Sequence, residues 1–589
     1  MDYYITTKEQ LKEVLSFIKN QSLLAYDVEA TGLDPLTDKV LLIQIGNAHK
    51  QFVLDVFKLG PELIKLILEK LNSEDIVKIM HNSKYDFQMT LTNFGVEINP
   101  LADTMLADLL LSQGKRQNKH SLDVVLDKYI GVSISKEEQS SFAGMKLGDP
   151  FTEEQLEYAR EDTEHLIPLF THLTTLLKER DMYNLAQLEY NTVRATSALE
   201  LNGIHVDTEK WKALKVVAQK KVDEYKAELD GHLKPYCETD MFGVVTLNLN
   251  SPKQLLPVLK KLTGKDDLKG TSEPVLKNIK HPAITALLNY RSQAKLVSTY
   301  GEEFLNQHLK TPSNRLHSSF WQLGGTETGR YSSDKPNLQN IPGEAVYRAA
   351  FTAKNKDYRI ISADFSNQEL RLLIHLSREP KFLKWLEERK DLHSMSASLV
   401  FDVPYEEVTK VQRGAAKSIT FGNMYGMGPG KLANQLNIPF KEAKQLQYNY
   451  FRNFPRIKAL MKSFAAEALS KNYAYSPLDH RREDLSNLDF DNGKSRRHAE
   501  NIAKNFPFQG AGASITKLAL YKVYDALKEV KLDAYLVNVV HDEILVEVHK
   551  DHAEQAAQIV QEEMVKAFNH FAPDIKMEVK PEIDHHWVH

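Results

Sequence analysis

Asp27 and Glu29 stand two residues apart at the end of the apolar run Leu24-Ala25-Tyr26, and the period of two along a strand turns both carboxylates to one face. Carboxylates placed side by side repel unless cations lie between them. A second stretch, His81-Asn82-Ser83-Lys84-Tyr85-Asp86, follows the apolar run Ile76 to Met80 and brings another acid to the point where a strand gives way to a helix. In a third, Tyr158 and Asp162 are four apart, neighbours on one helix face. An all-oxygen ligand set without thiolates suits Mg²⁺, with Mn²⁺ as the alternative ion. A pair of such ions about 4 Å apart can activate a water and steady the leaving oxygen in phosphodiester hydrolysis. A lone Asp-x-Glu is ordinarily a surface pair; the three stretches together and in this order are a far more specific signal and a candidate ligand set.

A second group of acids lies in the C-terminal half. The run Tyr358 to Phe365 delivers Asp364, and Val537-Asn538-Val539-Val540-His541-Asp542-Glu543-Ile544-Leu545-Val546 reads as a hairpin with Asp542 and Glu543 at its tip. Acids at the turn of a buried, β-branched hairpin are costly unless they hold something, so Asp364 and Asp542 are candidates for a second metal pair. Between them, Arg413, Lys417, Phe421 and Tyr425 recur every fourth residue. In a helix each is rotated about 40° from the last, so one face climbs roughly 18 Å from cations to aromatics. Cations suit a triphosphate and aromatics suit a sugar and base.

These groups require strands and helices to carry them, and the coarse pattern supplies both. Runs at Ser22 to Asp27, Val40 to Ile45 and Gln51 to Val56 read as strands alternating with helices over about 170 residues, an α/β domain. From Tyr183 to Pro312 the chain turns helical and lysine-rich, with long runs at Trp211 to Leu229 and Ala283 to His308. Between Lys260 and Lys295 eight basic residues face three acids, a local net charge of +5 of the kind that tracks phosphates. From Leu316 onward, strands enclose a mostly helical insert, Lys381 to Gln509.

With 589 residues, 42% apolar and 26% charged, and a mean hydropathy of −0.41, the chain is built like a soluble multidomain protein and not like a membrane, disordered or fibrous one. The single cysteine, Cys237, excludes an internal disulfide and a Cys-based zinc site and fits a reducing compartment. The start, Met1-Asp2-Tyr3-Tyr4-Ile5, lacks the pattern of a secretory signal or transit peptide. A net charge of −4 weighs little against nucleic-acid binding, because carboxylate sites can mask a local basic stripe.

The first acid set resembles the DEDD 3′ to 5′ exonucleases in their tyrosine-bearing branch. That resemblance implies Asp27, Glu29, Asp86 and Asp162 as metal ligands and Tyr158 as the residue that orients the water. The second half resembles the family A (DNA polymerase I type) DNA polymerases. Their three motifs stand in order as Asp364-Phe365-Ser366-Asn367-Gln368-Glu369-Leu370-Arg371, the Arg413 to Gly426 helix, and His541-Asp542-Glu543. Thr328-Gly329-Arg330-Tyr331, Pro336-Asn337-Leu338-Gln339-Asn340-Ile341-Pro342 and Pro507-Phe508-Gln509-Gly510 match as well, so the resemblance covers nearly the whole chain.

The resemblance implies an α/β multidomain protein, an RNase H-like exonuclease domain followed by a right-hand polymerase of palm, fingers and thumb. The expected limits are 1–185 for the exonuclease, 186–312 for thumb and connecting helices, 313–380 for the first part of the palm, 381–510 for the fingers with palm-return helices and 511–589 for the second part of the palm. It assigns Asp364 and Asp542 to the polymerase metals with Glu543 close by, and two Mg²⁺ to each active site. His393, Arg413 and Lys417 would hold the triphosphate, Phe421 would lie against the sugar and Tyr425 would stand near the templating base, with Glu369 excluding a 2′-hydroxyl. Arg330, Gln509, His541 and Asn505 would contact DNA. Expected partners are primer-template DNA and dNTPs, with no membrane, for a monomeric chain in the cytoplasm of a bacterium or phage-infected cell, or in an organelle after precursor processing. No 5′ nuclease is expected in this chain. Three positions depart from the family pattern, Asn367-Gln368 for the usual Gln-Ile and Asn501 for an arginine. A single-subunit RNA polymerase is the runner-up, opposed by Glu369, Phe421 and the proofreading domain. An exonuclease with a non-catalytic nucleic-acid-binding half is opposed by the complete second motif set.

Overall fold

The computed structural model describes residues 3–113, 119–241, 245–277, 279–309, 313–342 and 344–588; the expected domain limits at residues 1, 312 and 589 lie outside them. Two compact units emerge. One comprises Met1–Gly203, His317–Asn340 and Asp357–Asp584, the other Ile204–Leu316, Ile341–Lys356 and His585–His589.

The first unit begins with a six-stranded sheet of β1 (Tyr4–Ile5), β2 (Leu23–Ala30), β3 (Val40–Gly46), β4 (Gln51–Asp55), β5 (Val77–Met80) and β6 (Leu101–Asp103), in the order β1-β4-β3-β2-β5-β6. β3 runs antiparallel to both β2 and β4, and β5 and β6 continue parallel to β2. This is the mixed arrangement expected of an RNase H-like domain. Every residue of β3 and β4 is buried, which explains their continuous apolar runs: covered on both faces, they need no alternation. Three helices carry or brace the acids of this unit: α1 (Ser83–Phe94), α2 (Glu153–Glu164) and α3 (Tyr183–Asn202). Thr152 and Gln155 form a capping box at the start of α2, satisfying donors that its first turn would otherwise leave open.

The second unit is helical. Its long elements are α4 (Thr208–Leu233), α5 (Pro252–Thr263) and α6 (Pro282–Tyr300), with α4 packed along α6. Leu229, Leu233, Leu255, Leu259, Ile284 and Leu287 lie at its core, each worth about 1.5–3 kcal/mol when fully buried. The sequence pattern predicts one helix from Ala283 to His308. The structure ends α6 at Tyr300 and restarts at Glu302, because Gly301 adopts an extended backbone.

The remainder of the first unit adds β7 (Ser319–Trp321), paired with β8 (Ser332–Asp334), and β9 (Tyr358–Asp364), followed by α7 (Gln368–Ser377), α8 (Leu392–Phe401), α9 (Lys410–Met424) and the long α10 (Gly493–Glu529). β10 (Ala534–Val540), β11 (Glu543–His549), α11 (Ala553–Phe571) and β12 (Glu582–Asp584) complete it. The sheet order is β10-β11-β9-β12, antiparallel throughout. α10 packs on α11 and on α3. Glu189 on α3 is fully buried, and both its oxygens are held by Lys517 of α10 at 2.7 and 2.8 Å. Arg481 reaches the same carboxylate at 3.0 Å. Among the described residues no helix is long and apolar enough to cross a membrane.

Candidate active sites

β2 carries both Asp27 and Glu29 inside the strand, two apart and on one face, as the spacing predicts. α2 packs across β2, β3 and β4 and lowers Asp162 onto the same place. Carboxylate oxygens of Asp27, Glu29 and Asp162, all half-buried, lie within 4.8 Å of one another. Asp86 belongs to the first turn of α1 and is buried, and its Oδ1 accepts from the Val28 N–H at 3.2 Å. It is not among the three acids that close to within 4.8 Å of one another, and its charge helps raise Glu29. The Tyr158 hydroxyl hydrogen-bonds Asp162.

The electrostatics record the crowding. Burial, then the charge of Asp162, pushes Asp27 well above the usual carboxylate range. Glu29 is driven up by burial and by Asp27, Asp162 and Asp86 in turn, and Asp86 by burial and the charges of Asp27 and Asp103. Asp162 is raised to about 7 by burial, opposed by the Tyr158 hydrogen bond and the charge of Lys136. A set of oxygen donors that resists its own ionisation has the chemistry of a divalent-cation site, since bound cations would supply the missing charge.

The second candidate site sits where β9, β10 and β11 end together. Asp364 closes β9 directly opposite Glu543 of β11, and Glu543 is in turn opposite Val540 of β10. The intervening His541 and Asp542 form the turn, His541 with a left-handed φ of +55°. Gln339 anchors this turn from both sides. Its side-chain amide donates to the Val539 carbonyl, and its Oε1 accepts from the His541 N–H at 3.3 Å. Asp364 is exposed, Asp542 half-buried and Glu543 buried. Burial, then the charge of Asp364, raises Asp542 to about 6 against the pull of its own backbone and Arg330.

α9 presents Arg413 and Lys417 exposed and Phe421 half-buried, with Tyr425 exposed at its C-terminal cap, while Ala416, Ile419, Thr420, Gly422, Asn423 and Met424 face inward. The expected stripe is present. Arg413 makes a two-pronged pair with Asp391, Nε to Oδ1 at 3.0 Å and Nη2 to Oδ2 at 2.8 Å. His393 is buried and lies 6.0 Å from the Phe421 ring. Burial, then the charges of Arg413 and Lys417, lowers it to about 4, so its imidazole is neutral near pH 7.

Glu369, in the first turn of α7, is held from two sides: by Arg330, and by the Tyr425 hydroxyl at 2.7 Å. Gln509 hydrogen-bonds the same tyrosine, whereas the Asn505 Oδ1 is buried without a hydrogen-bond partner. Tyr425 thus packs with Glu369, Arg330 and Gln509 in one cluster.

The three departures have local accounts. Asn367 takes a left-handed φ of +53° as the cap of α7, a conformation asparagine tolerates, and its Oδ1 receives His393 Nε2–H at 3.2 Å. Gln368 is buried, and its Oε1 would lie 2.7 Å from any Cβ at position 512, where Gly512 stands. Asn501 fits against Gly426, where a Cβ would come within 2.1 Å of its Oδ1 and φ is +66°. Sequence reasoning gave no role to Gln339 or Asn367; their signals are the matching stretch Pro336 to Pro342 for Gln339 and, for Asn367, a polar side chain three residues after Asp364.

Comparison with known proteins follows the same division. The profile described as 3′-5′ exonuclease matches residues 3–178, and that described as DNA polymerase family A matches residues 219–589. A DNA polymerase I of Aquifex aeolicus is 31% identical over 621 residues, covering all of both chains. That of Borreliella burgdorferi is 32% identical over 96% of this chain, which spans 62% of that protein's length. In Bacillus subtilis the figures are 33% identity over 81% of this chain and 54% of the relative. Among solved structures, the POL domain of Pol1 from M. smegmatis in complex with DNA primer-template and dNTP superposes with a TM-score of 0.84 at 26% identity, covering 99% of each chain.

Proposed function

We propose, from the premise that this chain belongs to DNA polymerase family A with a 3′-5′ exonuclease domain ahead of its polymerase domain, that it extends a DNA primer on a DNA template with dNTPs and removes misincorporated 3′ ends. The observation that carries this reading is the pairing of two separate carboxylate sites in one chain. One is the Asp27, Glu29 and Asp162 cluster, the other Asp364 with Asp542, accompanied by the stripe on α9.

In the polymerase site a bond forms between the primer 3′-oxygen and the α-phosphorus of the dNTP, and the bond to the oxygen bridging the α- and β-phosphates breaks, releasing pyrophosphate. Asp364 and Asp542 would hold the divalent ions, which supply charge neutralisation and activation of the 3′-oxygen. Arg413 and Lys417 sit at the exposed end of α9, suited to the triphosphate; Arg413 would exchange Asp391 for phosphate. Phe421 offers its ring to the deoxyribose, and Tyr425 meets the base pair. Glu369, fixed by Arg330 and Tyr425, fills the space a 2′-hydroxyl would need.

In the nuclease site a water oxygen bonds to phosphorus while the bond to the 3′-oxygen of the penultimate sugar breaks. Asp27, Glu29, Asp86 and Asp162 would hold Mg²⁺ or Mn²⁺, and the Tyr158 hydroxyl, placed by Asp162, orients the water. The expected thumb takes the lysine-rich tract of the helical unit as its phosphate-tracking surface. We assign the activity to a single chain in a bacterial cytoplasm, in keeping with the bacterial sources of the relatives.

The test is primer extension and 3′-end degradation on one gapped template. Asp27→Ala with Glu29→Ala should abolish degradation and leave extension; Asp364→Ala or Asp542→Ala should do the reverse. Extension surviving in either palm variant would refute the polymerase assignment.

A further inference from the structure

We propose that Gln44 is a positioning residue of the nuclease site, its unpaired side-chain amide placed opposite Asp27 so that it can donate to that carboxylate once the carboxylate is ionised. The proposal rests on the nuclease reading above. Gln44 lies in the middle of β3, fully buried, and neither its Nε2 nor its Oε1 has a hydrogen-bond partner. Its strand neighbours are Leu41, Leu42, Ile43 and Ile45, so an apolar residue at this position would pack without leaving a polar group unpaired.

Register places this amide beside the ligands. Gln44 is directly opposite Asp27 in the antiparallel pair of β2 and β3. Residues so paired project to one face with Cβ atoms about 4.5–5.5 Å apart. Glu29 shares that face, and α2, with Tyr158 and Ala159 buried in the same cluster as Leu42 and Val53, covers it. Another buried glutamine of this layer shows the ordinary outcome. Gln51 accepts from the Thr163 hydroxyl at 2.8 Å and donates to the Asn47 carbonyl. Gln44 is thus an unpaired donor retained against its cost next to a carboxylate that has lone pairs to spare.

Such a donor orients a ligating carboxylate without competing for its charge. A lysine in that place would oppose cation binding, whereas a neutral amide fixes the carboxylate and leaves the ligand field intact.

Gln44→Leu and Gln44→Met remove the donor at nearly constant volume. We expect a 10- to 100-fold slower exonuclease, the range usual for loss of an outer-sphere partner, and weaker Mn²⁺ binding by calorimetry, measured in a chain also carrying Asp364→Ala and Asp542→Ala so that only the nuclease site responds. The Tm in EDTA should equal or exceed that of the native chain, and matched-primer extension by the single variants should be unchanged. Native exonuclease rate and Mn²⁺ affinity in either folded variant would overturn the proposal. A lower Tm in EDTA with native Mn²⁺ affinity, or failure of both variants to fold, would make Gln44 a packing residue and overturn it equally. The Asp27→Ala, Glu29→Ala chain separates the two readings. If it still degrades DNA, the nuclease assignment fails; if it is inactive while Gln44→Leu is normal, the role of Gln44 alone fails.

Discussion

Glu369 owes its position to two partners on different elements, Arg330 and the Tyr425 hydroxyl. Excluding a hydroxyl by bulk makes use of a rigid carboxylate. Glu369→Ala should therefore raise ribonucleotide incorporation relative to deoxynucleotide by about tenfold or more, and Tyr425→Phe should move the ratio the same way by less; competition at matched concentrations measures both. Phe421 offers the sugar a ring and no hydrogen bond, so a nucleotide lacking its 3′-hydroxyl loses an internal contact that nothing replaces. Phe421→Tyr supplies a hydroxyl, and a hydrogen bond to a charged group is worth about 1.5–3 kcal/mol. Dideoxynucleotide incorporation should rise about ten- to a hundredfold with ordinary extension little changed, read by chain termination in the Asp27→Ala, Glu29→Ala background. Equal loss of both activities would place Phe421 in the core instead. At this scale the acids and the α9 stripe were legible because type and spacing announce them. Gln44, Gln339 and Asn367 were not, because their partners lie across a strand register or a turn, 17, about 200 and 26 residues away.

Elements were read well where the local pattern alone decides, a continuous apolar run in β3 and a four-residue spacing in α9, and less well where one residue overrides the pattern. Gly301 divides the run that reads as a helix from Ala283 to His308. Conversely, α10 runs from Gly493 through Pro507 to Glu529, across the expected limit at 510, although an interior proline costs about 3 kcal/mol. Burial of Phe506, Phe508, Ala511 and Ile515 around it offsets that cost, and no local signal reports tertiary burial. The helix Thr104–Leu111 offers a prediction at this scale. Its Asp108 is buried, and burial would raise the carboxyl, yet donors from His120, Lys128 and Tyr129 outweigh burial and hold it at about 2. With the folded value below the unfolded one of about 3.9, the stabilisation is present above about pH 4 and is lost as pH falls from there through about 2. It amounts to about 2 kcal/mol. Hydrogen-exchange protection of Thr104–Leu111, taken relative to the intrinsic rate at each pH, should fall across that interval, and Asp108→Asn should show lower protection at neutral pH with a flatter acid dependence. An unchanged acid limb in the variant would assign the acid sensitivity to another group.

For the whole molecule, the sequence predicts an α/β nuclease, a helical tract and a palm with a helical insert as separate parts, whereas compactness groups residues 1–203, 317–340 and 357–584 in one unit and sets residues 204–316 with 341–356 and 585–589 in another. The reason is physical: the buried ionic contacts from Glu189 on α3 to Lys517 and Arg481 join segments about 300 residues apart, and local patterning carries no trace of them. Charge distributes unevenly over these units. The chain carries a net −4, yet Lys261, Lys265 and Lys269 are exposed and Lys260 is half-buried in a stretch of net +5 in the helical unit. If that stretch neutralises DNA phosphates, binding releases condensed counterions, and log affinity falls with log salt at a slope of about −0.9 per phosphate contacted. Reversing Lys261 and Lys265 together to Glu should then weaken primer-template binding at low salt and flatten the slope by about 2, uniformly across template sequences. Nucleotide selectivity should be untouched, since both lysines lie outside the carboxylate sites. Fluorescence anisotropy over a series of KCl concentrations reads the slope directly. A slope identical to that of the native chain, with the double variant folded, would leave the stretch a solvated helical face and move the phosphate contacts to the unit that holds the two active sites.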